Sequence, residues 1–314
     1  MKVLAIGAAG YVGGAVVDAL LERGHEVRVL DLLLFEDCFL KPVWFKRLDI
    51  RNRPALAPHL DWADCVIWLA AIVGDGACAL DPQMAVEINQ QAVAWLSGVY
   101  EGRIIFPSTC SVYGAQDALL TESSPTGPLS IYAQTKLEAE GYLKHKNALI
   151  LRLGTLFGVG DTYSRIRTDL VVNTMTIRAC TDNRIQVRGG AQWRPLLYVK
   201  DAARLMAEQV AGTAAGIYNL AATNVQIADL AAMVADHFHK LEILWEAMPA
   251  TDERNYRVST TKAQNALGFK PNVFSIHNGI EELAAIVRAG RLPDPWHPRF
   301  SNERHLSAKR LMLD

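Results

Sequence analysis

Short apolar runs alternate with stretches of helical periodicity through the first half of the chain. Residues 3–6 form such a run, closed by Gly7, and a helical pattern occupies 11–22. Residues 27–30 follow and end on Asp31; 65–69 make a third run and 104–106 a fourth, with a helical stretch around 83–99 between them. Residues 148–153 are the fifth, after a helix through 132–144. A strand covered on both faces reads as an unbroken apolar run, so this alternation predicts an α/β fold, a parallel sheet with helices on both sides.

Beyond about residue 154 the alternation becomes irregular. Residues 169–180 read as a helix, 185–187 as a short strand, 201–210 as a helix opening on the acidic Asp201, and 227–238 as another helix. The tail from 288 is basic and broken by prolines. The expected division is a first domain at 1–154 and a smaller α/β lobe at 155–314, packed against the C-terminal edge of the sheet. Parts of 195–225 are free to return to the first domain.

Composition narrows the class. Half of the 314 residues are hydrophobic and 21% are charged, as in a globular chain able to bury a large core. The formal net charge of -1 argues against an electrostatic partner such as nucleic acid or a membrane surface. Cys38, Cys65, Cys78, Cys110 and Cys180 stand far apart, without the paired spacing of a disulfide framework or zinc site, and suit a reducing cytoplasm. No histidine spacing looks metal-like, and no metal is assigned. The apolar stretch after Lys2 carries Gly7, Gly10, Gly13 and Gly14 and lacks a small-residue cleavage site, so it is not read as a signal peptide. No run reaches the roughly 18 apolar residues of a membrane span.

Gly7, Gly10 and Gly13 lie between the first strand and the first helix. Glycines there let the backbone turn tightly beside a pyrophosphate, while the helix N-terminus offers free N–H groups and a positive dipole. A plain strand–helix turn has the same spacing. Asp31 adds weight, because a carboxylate ending the second strand, about 20 residues on, accepts hydrogen bonds from an adenosine ribose diol. Leu32, Leu33 and Leu34 follow, with no arginine to receive a 2′-phosphate, so the expected cofactor is NAD rather than NADP. Asp49 and Ile50 suit an adenine contact, or an exposed turn.

Tyr132 and Lys136 are four apart on a predicted helix and share a face. An ammonium beside a phenol favours the phenolate and lowers its pKa, which fits a proton shuttle. Ser108 and Thr109 end the fourth run; Leu69, Ala70 and Ala71 end the third; Asn89 lies in the helix after it. Further on come Arg152, Gly154, Thr155 and Gly158, then Arg194, Tyr198 and Asp201, Tyr218 and Asn219, and Asp252, Arg254, Tyr256 and Lys262 ahead of Gly268. In this order, over nearly the whole chain, these residues resemble the extended short-chain dehydrogenase/reductase family, specifically its NAD-dependent nucleotide-sugar epimerases, dehydratases and reductases.

The resemblance implies a Rossmann domain, a doubly wound parallel sheet that keeps NAD bound, with a C-terminal lobe closing over a nucleoside-diphosphate sugar. By resemblance, Thr109 is the hydroxyl that hydrogen-bonds the reacting sugar, Tyr132 the acid/base, and Lys136 the residue that lowers its pKa and holds the nicotinamide ribose. Gly7, Gly10, Val12, Asp31, Asp49, Ile50, Leu69, Ala71 and Asn89 match cofactor positions, with Ala9, Tyr11, Leu32 and Ala70 beside them. Arg194 matches the arginine that neutralises the substrate diphosphate; Arg254 is a second candidate, or a surface ion pair. Val73, Ser111, Thr155 and Arg188 complete the expected substrate contacts. Thr155 stands where several epimerases carry asparagine, and Arg188 where an aromatic often packs near the base, which leaves the base open. A homodimer through the helices at 83–99 and 132–144 is also implied.

The two residues after Thr109 bear on the reaction. The 4,6-dehydratases resemble one another in carrying Asp-Glu there, one acid and one base; this chain has Cys110 and Ser111. Cys110 is read as a small hydrophobe. What remains is Thr109, Tyr132, Lys136 and a nicotinamide, a set that oxidises a sugar carbinol and returns the hydride. Epimerisation at C4 is therefore the leading expectation. Alternatives are a 4-keto-sugar reductase, an atypical dehydratase using Asp75 (otherwise a loop-capping residue), or a non-catalytic NAD-binding scaffold.

Overall fold

In the computed structural model, residues 1–163, 165–247 and 254–310 are described, the Arg310 side chain aside; Asp252 of the quoted motif lies outside them. Seven strands make the central sheet: β1 (Lys2–Ile6), β2 (Glu26–Asp31), β3 (Trp44–Arg47), β4 (Cys65–Trp68), β5 (Arg103–Thr109), β6 (Ala148–Leu153) and β7 (Gly216–Leu220). Their order is β7-β6-β5-β4-β1-β2-β3, with every neighbouring pair parallel. The chain winds from β1 outward to β3, then returns to the other side of β1 with β4. That reversal opens a crevice at the strand C-termini, where doubly wound sheets bind ligands.

The five apolar runs are β1, β2, β4, β5 and β6, and every residue of β4 and β6 is buried. β3 had no such run because it is an edge strand, with Trp44 exposed. β7 comes from the second half of the chain and extends the sheet beside β6.

Four helices shape the site: α1 (Tyr11–Glu22), α2 (Asp75–Leu80), α3 (Ile131–Leu143) and α4 (Asn302–Arg310). α1 packs on one face of the sheet with the helix Val199–Glu208, burying Val16, Leu20, Leu205 and Met206 together. α3 covers the other face beside Ala92–Val99, with Leu96, Ala139 and Leu143 in the core. The expected helix at 83–99 contains a π-helical segment, Glu87–Gln91, which turns Asn89 inward. The remaining chain forms a lobe whose helices Val171–Asp182, Ile227–Ala235 and Ser275–Arg288 enclose Ile185, Val187, Leu196 and Leu230. α4 leaves that lobe and buries Leu306 in the core of the first half.

A buried polar cluster ties α3 to the strand ends. Glu140 receives Nε and Nη2 of Arg152 at 3.0 and 2.6 Å and the Ser108 hydroxyl at 2.5 Å. Ser108 and Arg152 are register partners on β5 and β6. Both members of the ion pair are almost wholly buried, so each charge is tolerated only because the other is present. Glu140→Ala is expected to destabilise the protein by about 3–5 kcal/mol, since it strands the Arg152 guanidinium. Urea denaturation checks this, and a loss below about 1 kcal/mol would contradict the assigned role.

Among the described residues no helix is long and apolar enough to cross a membrane. All five cysteines are free.

Candidate active site

The crevice is a cleft of about 580 Å³ running from the glycine turn across the ends of β4, β5 and β6 to the lobe. Its floor follows from the turn. Gly7 has φ +82°, and a Cβ there would lie 2.3 Å from the Ala70 nitrogen, so only glycine lets β1 and β4 finish side by side. The Ile6 carbonyl accepts from Leu69 and Ala70 N–H at 2.7 and 2.9 Å, holding those residues at the rim. Gly10 caps α1 with no side chain over the helix end. First-turn N–H groups and the positive end of the dipole thus face the cleft, as a pyrophosphate requires.

Asp31 lines the cleft at the end of β2. Burial raises its pKa, opposed by hydrogen bonds from the N–H groups of Leu33 and Ala9 at 2.7 and 3.0 Å. A carboxylate held this way accepts further bonds from a diol. Leu32, Asp49 and Ile50 form the adjoining wall, Asp49 being held by Arg51, whose Nη2 approaches to 2.7 Å. A dinucleotide fits these residues: glycine turn and helix end for its phosphates, Asp31 for a ribose, apolar walls for a ring.

At the other end Thr109, Ser111, Tyr132 and Lys136 converge. Thr109 ends β5, where its hydroxyl accepts from Ser111 N–H at 3.1 Å and lies near enough to the Tyr132 phenol to lower its pKa. Ser130 caps α3, accepting from Ala133 N–H at 3.2 Å and donating to Asp75 at 2.6 Å. That fixes the helix turn bearing Tyr132 against α2. Burial pushes the Tyr132 phenol well above its ordinary range, with Cys78 and Asp75 adding to the rise; the Thr109 hydroxyl and the Arg167 charge oppose it. Lys136, four residues on, lies with its Nζ 4.0 Å from the centre of the Phe106 ring. Burial pushes it down to about 7, with Glu140 pulling the other way. Thr109 and Arg167 are the groups that pull the phenol down in the ligand-free site, where burial also depresses the Lys136 pKa.

Most expected site residues line this one cleft: Gly7, Gly10, Tyr11, Val12, Asp31, Leu32, Asp49, Ile50, Leu69, Ala70, Ala71, Val73, Thr109, Ser111, Tyr132, Lys136, Thr155, Arg194 and Arg254. Three do not. Ala9 is buried behind the turn and reaches Asp31 only through its N–H. Asn89 spends its amide on both backbone groups of Ile72, at 2.8 and 2.9 Å, and on the Thr135 hydroxyl at 3.2 Å. It braces the loop and α3 from beneath. Arg188 falls at an outward position of the strand Arg184–Arg188 and pairs with Glu246 at 3.1 Å on the surface.

Cys110 is fully buried, donates to the Arg152 carbonyl at 3.2 Å, and does not line the cleft. Ser111 does, with its hydroxyl 3.3 Å from that of the buried Tyr256. Arg194 is buried and donates to the carbonyls of Trp193 and Arg254; Arg254 pairs with Asp75 at 3.2 Å. Asp75 thus opens α2 inside the cleft, between Ser130 and Arg254, rather than on an exposed loop.

Sequence reasoning missed Glu36, Arg165, Arg167, Asp169 and Asn302, all of which line the cleft. The alternating charges at 165, 167 and 169 were the only signal, and a solvated loop shows the same pattern. Arg167 is bidentate on Asp169 at 2.6 and 3.0 Å. Glu36 accepts from Arg165 N–H at 3.1 Å, and burial pushes it up to about 7. Among the described residues no cluster could hold a metal ion.

A lysine whose native pKa is depressed binds its proton less readily folded than unfolded. Stability therefore rises with pH between about 7 and the unfolded value near 10.4. Lys136→Met should melt above the parent protein at pH 6, both without cofactor, with the gap closing towards pH 9. A gap that is constant with pH would contradict the assignment.

The model of the NAD-dependent epimerase/dehydratase family matches residues 3–221. UDP-glucose 4-epimerase of Corynebacterium glutamicum is 24% identical over 92% of this chain and 96% of that protein. UDP-glucuronic acid decarboxylase 1 of Danio rerio is 24% identical over 87% of this chain and 69% of its own. Among solved structures, the dTDP-glucose 4,6-dehydratase DesIV of Streptomyces venezuelae, solved with NAD bound, superposes with a TM-score of 0.79 at 25% identity, covering 95% of this chain and all of that one.

Proposed function

We propose a reaction for this chain from the premise that it belongs to the NAD-dependent epimerase/dehydratase family, whose model matches well over half its length. The reaction is epimerisation of a nucleoside-diphosphate sugar at C4, by oxidation of the carbinol and re-reduction from the opposite face. The bound nicotinamide supplies the hydride acceptor and then the donor. One observation carries the reading: where 4,6-dehydratases hold an acid and a base, this chain has Cys110, turned away to the Arg152 carbonyl, and Ser111, bonded to Tyr256. The proton inventory left at the strand ends is Thr109, Tyr132 and Lys136, which suffices for hydride transfer.

In this reading Tyr132 takes the carbinol proton as the carbonyl forms and gives it back on re-reduction. Thr109 hydrogen-bonds the same sugar oxygen beside the phenol, aligning donor and acceptor. Lys136 holds a ribose hydroxyl and, once ligand oxygens surround its Nζ, is the ammonium that steadies the phenolate. Arg194 and Arg254 receive the substrate diphosphate, the charge-assisted pairing guanidinium groups favour. The small residues Ser111 and Val73 leave room for the keto-sugar to turn over. The two sequence relatives above are named for UDP-sugars, and we carry a UDP-sugar over as the first substrate to try. We also propose a cytoplasmic homodimer; Val99 and Tyr142, on the faces expected to pair, are exposed apolar positions.

Asp75 favours a second reading. Its carboxylate lies in the cleft near enough to raise the Tyr132 pKa, so it could serve as the acid or base of an elimination. The test is incubation with UDP-, dTDP-, GDP- and CDP-sugars without added cofactor, products being read by NMR. An inverted sugar is expected. A dehydrated or decarboxylated product would overturn the epimerase reading in favour of elimination chemistry. Tyr132→Phe should lower kcat by about 100-fold or more without loss of bound cofactor. Asp75→Asn should act mainly on KM in an epimerase and abolish turnover in an eliminating enzyme.

A further inference from the structure

The last described helix does not stay with the lobe that leads to it. Residues 299–306 cross the mouth of the cleft and attach to both sides. On one side His305 bonds the Leu34 carbonyl at 3.0 Å and packs tilted against Phe35, ring centroids 5.4 Å apart, just beyond the Asp31 end of β2. On the other, the Asn302 amide donates to the Val73 carbonyl at 2.8 Å, and Glu303 presses on Gly76, where a Cβ would meet its carboxylate at 2.1 Å. Leu306 is sunk in the core beneath.

A second segment locks the crossing from the lobe side. Arg165 stacks over Phe35 at 4.5 Å and donates to the Arg299 carbonyl at 2.8 Å and to the Asn302 side chain. Asp169 accepts from the Asn302 N–H at 3.0 Å, and Thr168 N–H donates to the Phe300 carbonyl at 2.9 Å. Asn302 is almost wholly buried and bonds three residues on two separate segments, Val73 on one and Arg165 and Asp169 on the other, the density of contacts that marks a fastener rather than a loose tail.

We propose that residues 299–306, fastened through Asn302 and Arg165, form a buckle over the cofactor cleft that retains the dinucleotide between turnovers while the sugar exchanges from the lobe side. This rests on the cleft being the cofactor site, and it deepens the proposed reaction. A chemistry that returns its hydride to the same sugar never needs to release the cofactor. A reductase supplied with keto-sugar from outside must release it at every turnover, and a buckled cleft would throttle it.

The test is release of NADH, with no sugar present. Protein loaded with NADH is mixed with excess NAD, and the decay of bound-nucleotide fluorescence is followed. Asn302→Ala and Arg165→Ala should each release at least 10-fold faster than the parent, and a chain ending at residue 293 faster still. Because truncation risks misfolding, a disulfide provides the opposite arm. Gly76→Cys with Glu303→Cys, oxidised, should release more slowly than the parent and recover with reductant. Equal release rates across parent, Asn302→Ala and the oxidised pair would overturn the buckle. Fast release from the parent together with an inverted sugar product would overturn the buckle alone, and slow, buckle-dependent release with no inversion would overturn only the reaction.

Discussion

The Glu140 carboxylate, buried where two strand ends meet the helix of Tyr132, is the constraint on which the rest of the site depends. Its bonds to Ser108 and Arg152 fix how α3 lies across β5 and β6. That placement puts Thr109, the next residue after Ser108, against the phenol of Tyr132. It also puts a negative charge one helical turn from Lys136, which burial would otherwise discharge. A buried ion pair contributes little net stability, and replacement by apolar side chains would often cost nothing. Here it gains a defined geometry: the three groups proposed to react are brought from two elements to one end of the cleft.

The charges around the cleft are similarly arranged in neutralised sets. Arg167 faces Asp169, Arg254 faces Asp75, and Arg51 faces Asp49. Guanidinium groups held by carboxylates are pre-oriented for an incoming phosphate, so less side-chain freedom is lost on binding than from free arginines. The cleft can thus accept a dinucleotide and a sugar nucleotide, both polyanionic, on a chain whose formal net charge is only -1.

The sheet was legible because its middle strands are covered on both faces: β1, β4 and β6 are apolar whatever their neighbours do. β3, at the edge, and β7, supplied from far along the chain, carry no such mark. The glycine turn was readable because local geometry dictates its residue type, whereas Asp31 and the Tyr132–Lys136 pair stood out through their order along the chain and the family it resembles. Asn89 was found at the correct place but for a different task, since its role depends on a π-helical turn no periodicity announces. Arg188 fell to simple alternation along an exposed strand. Arg165 and Asn302 were illegible because their partners lie more than a hundred residues away or in the crossing of α4, a tertiary event that leaves no local signature, while Arg167, paired with Asp169 two residues on, looks like any charged loop.

The central claim is that one sugar carbon gives up its hydrogen and receives it back within a closed site. A mixture of UDP-sugar carrying both carbon-13 and deuterium at C4 with the unlabelled sugar, turned over without added cofactor, tests it directly by mass spectrometry of the inverted product. Deuterium is predicted to remain on carbon-13 molecules alone. Deuterium appearing in the carbon-12 product, or in nucleotide recovered from solution, would contradict a hydride that never leaves its own turnover.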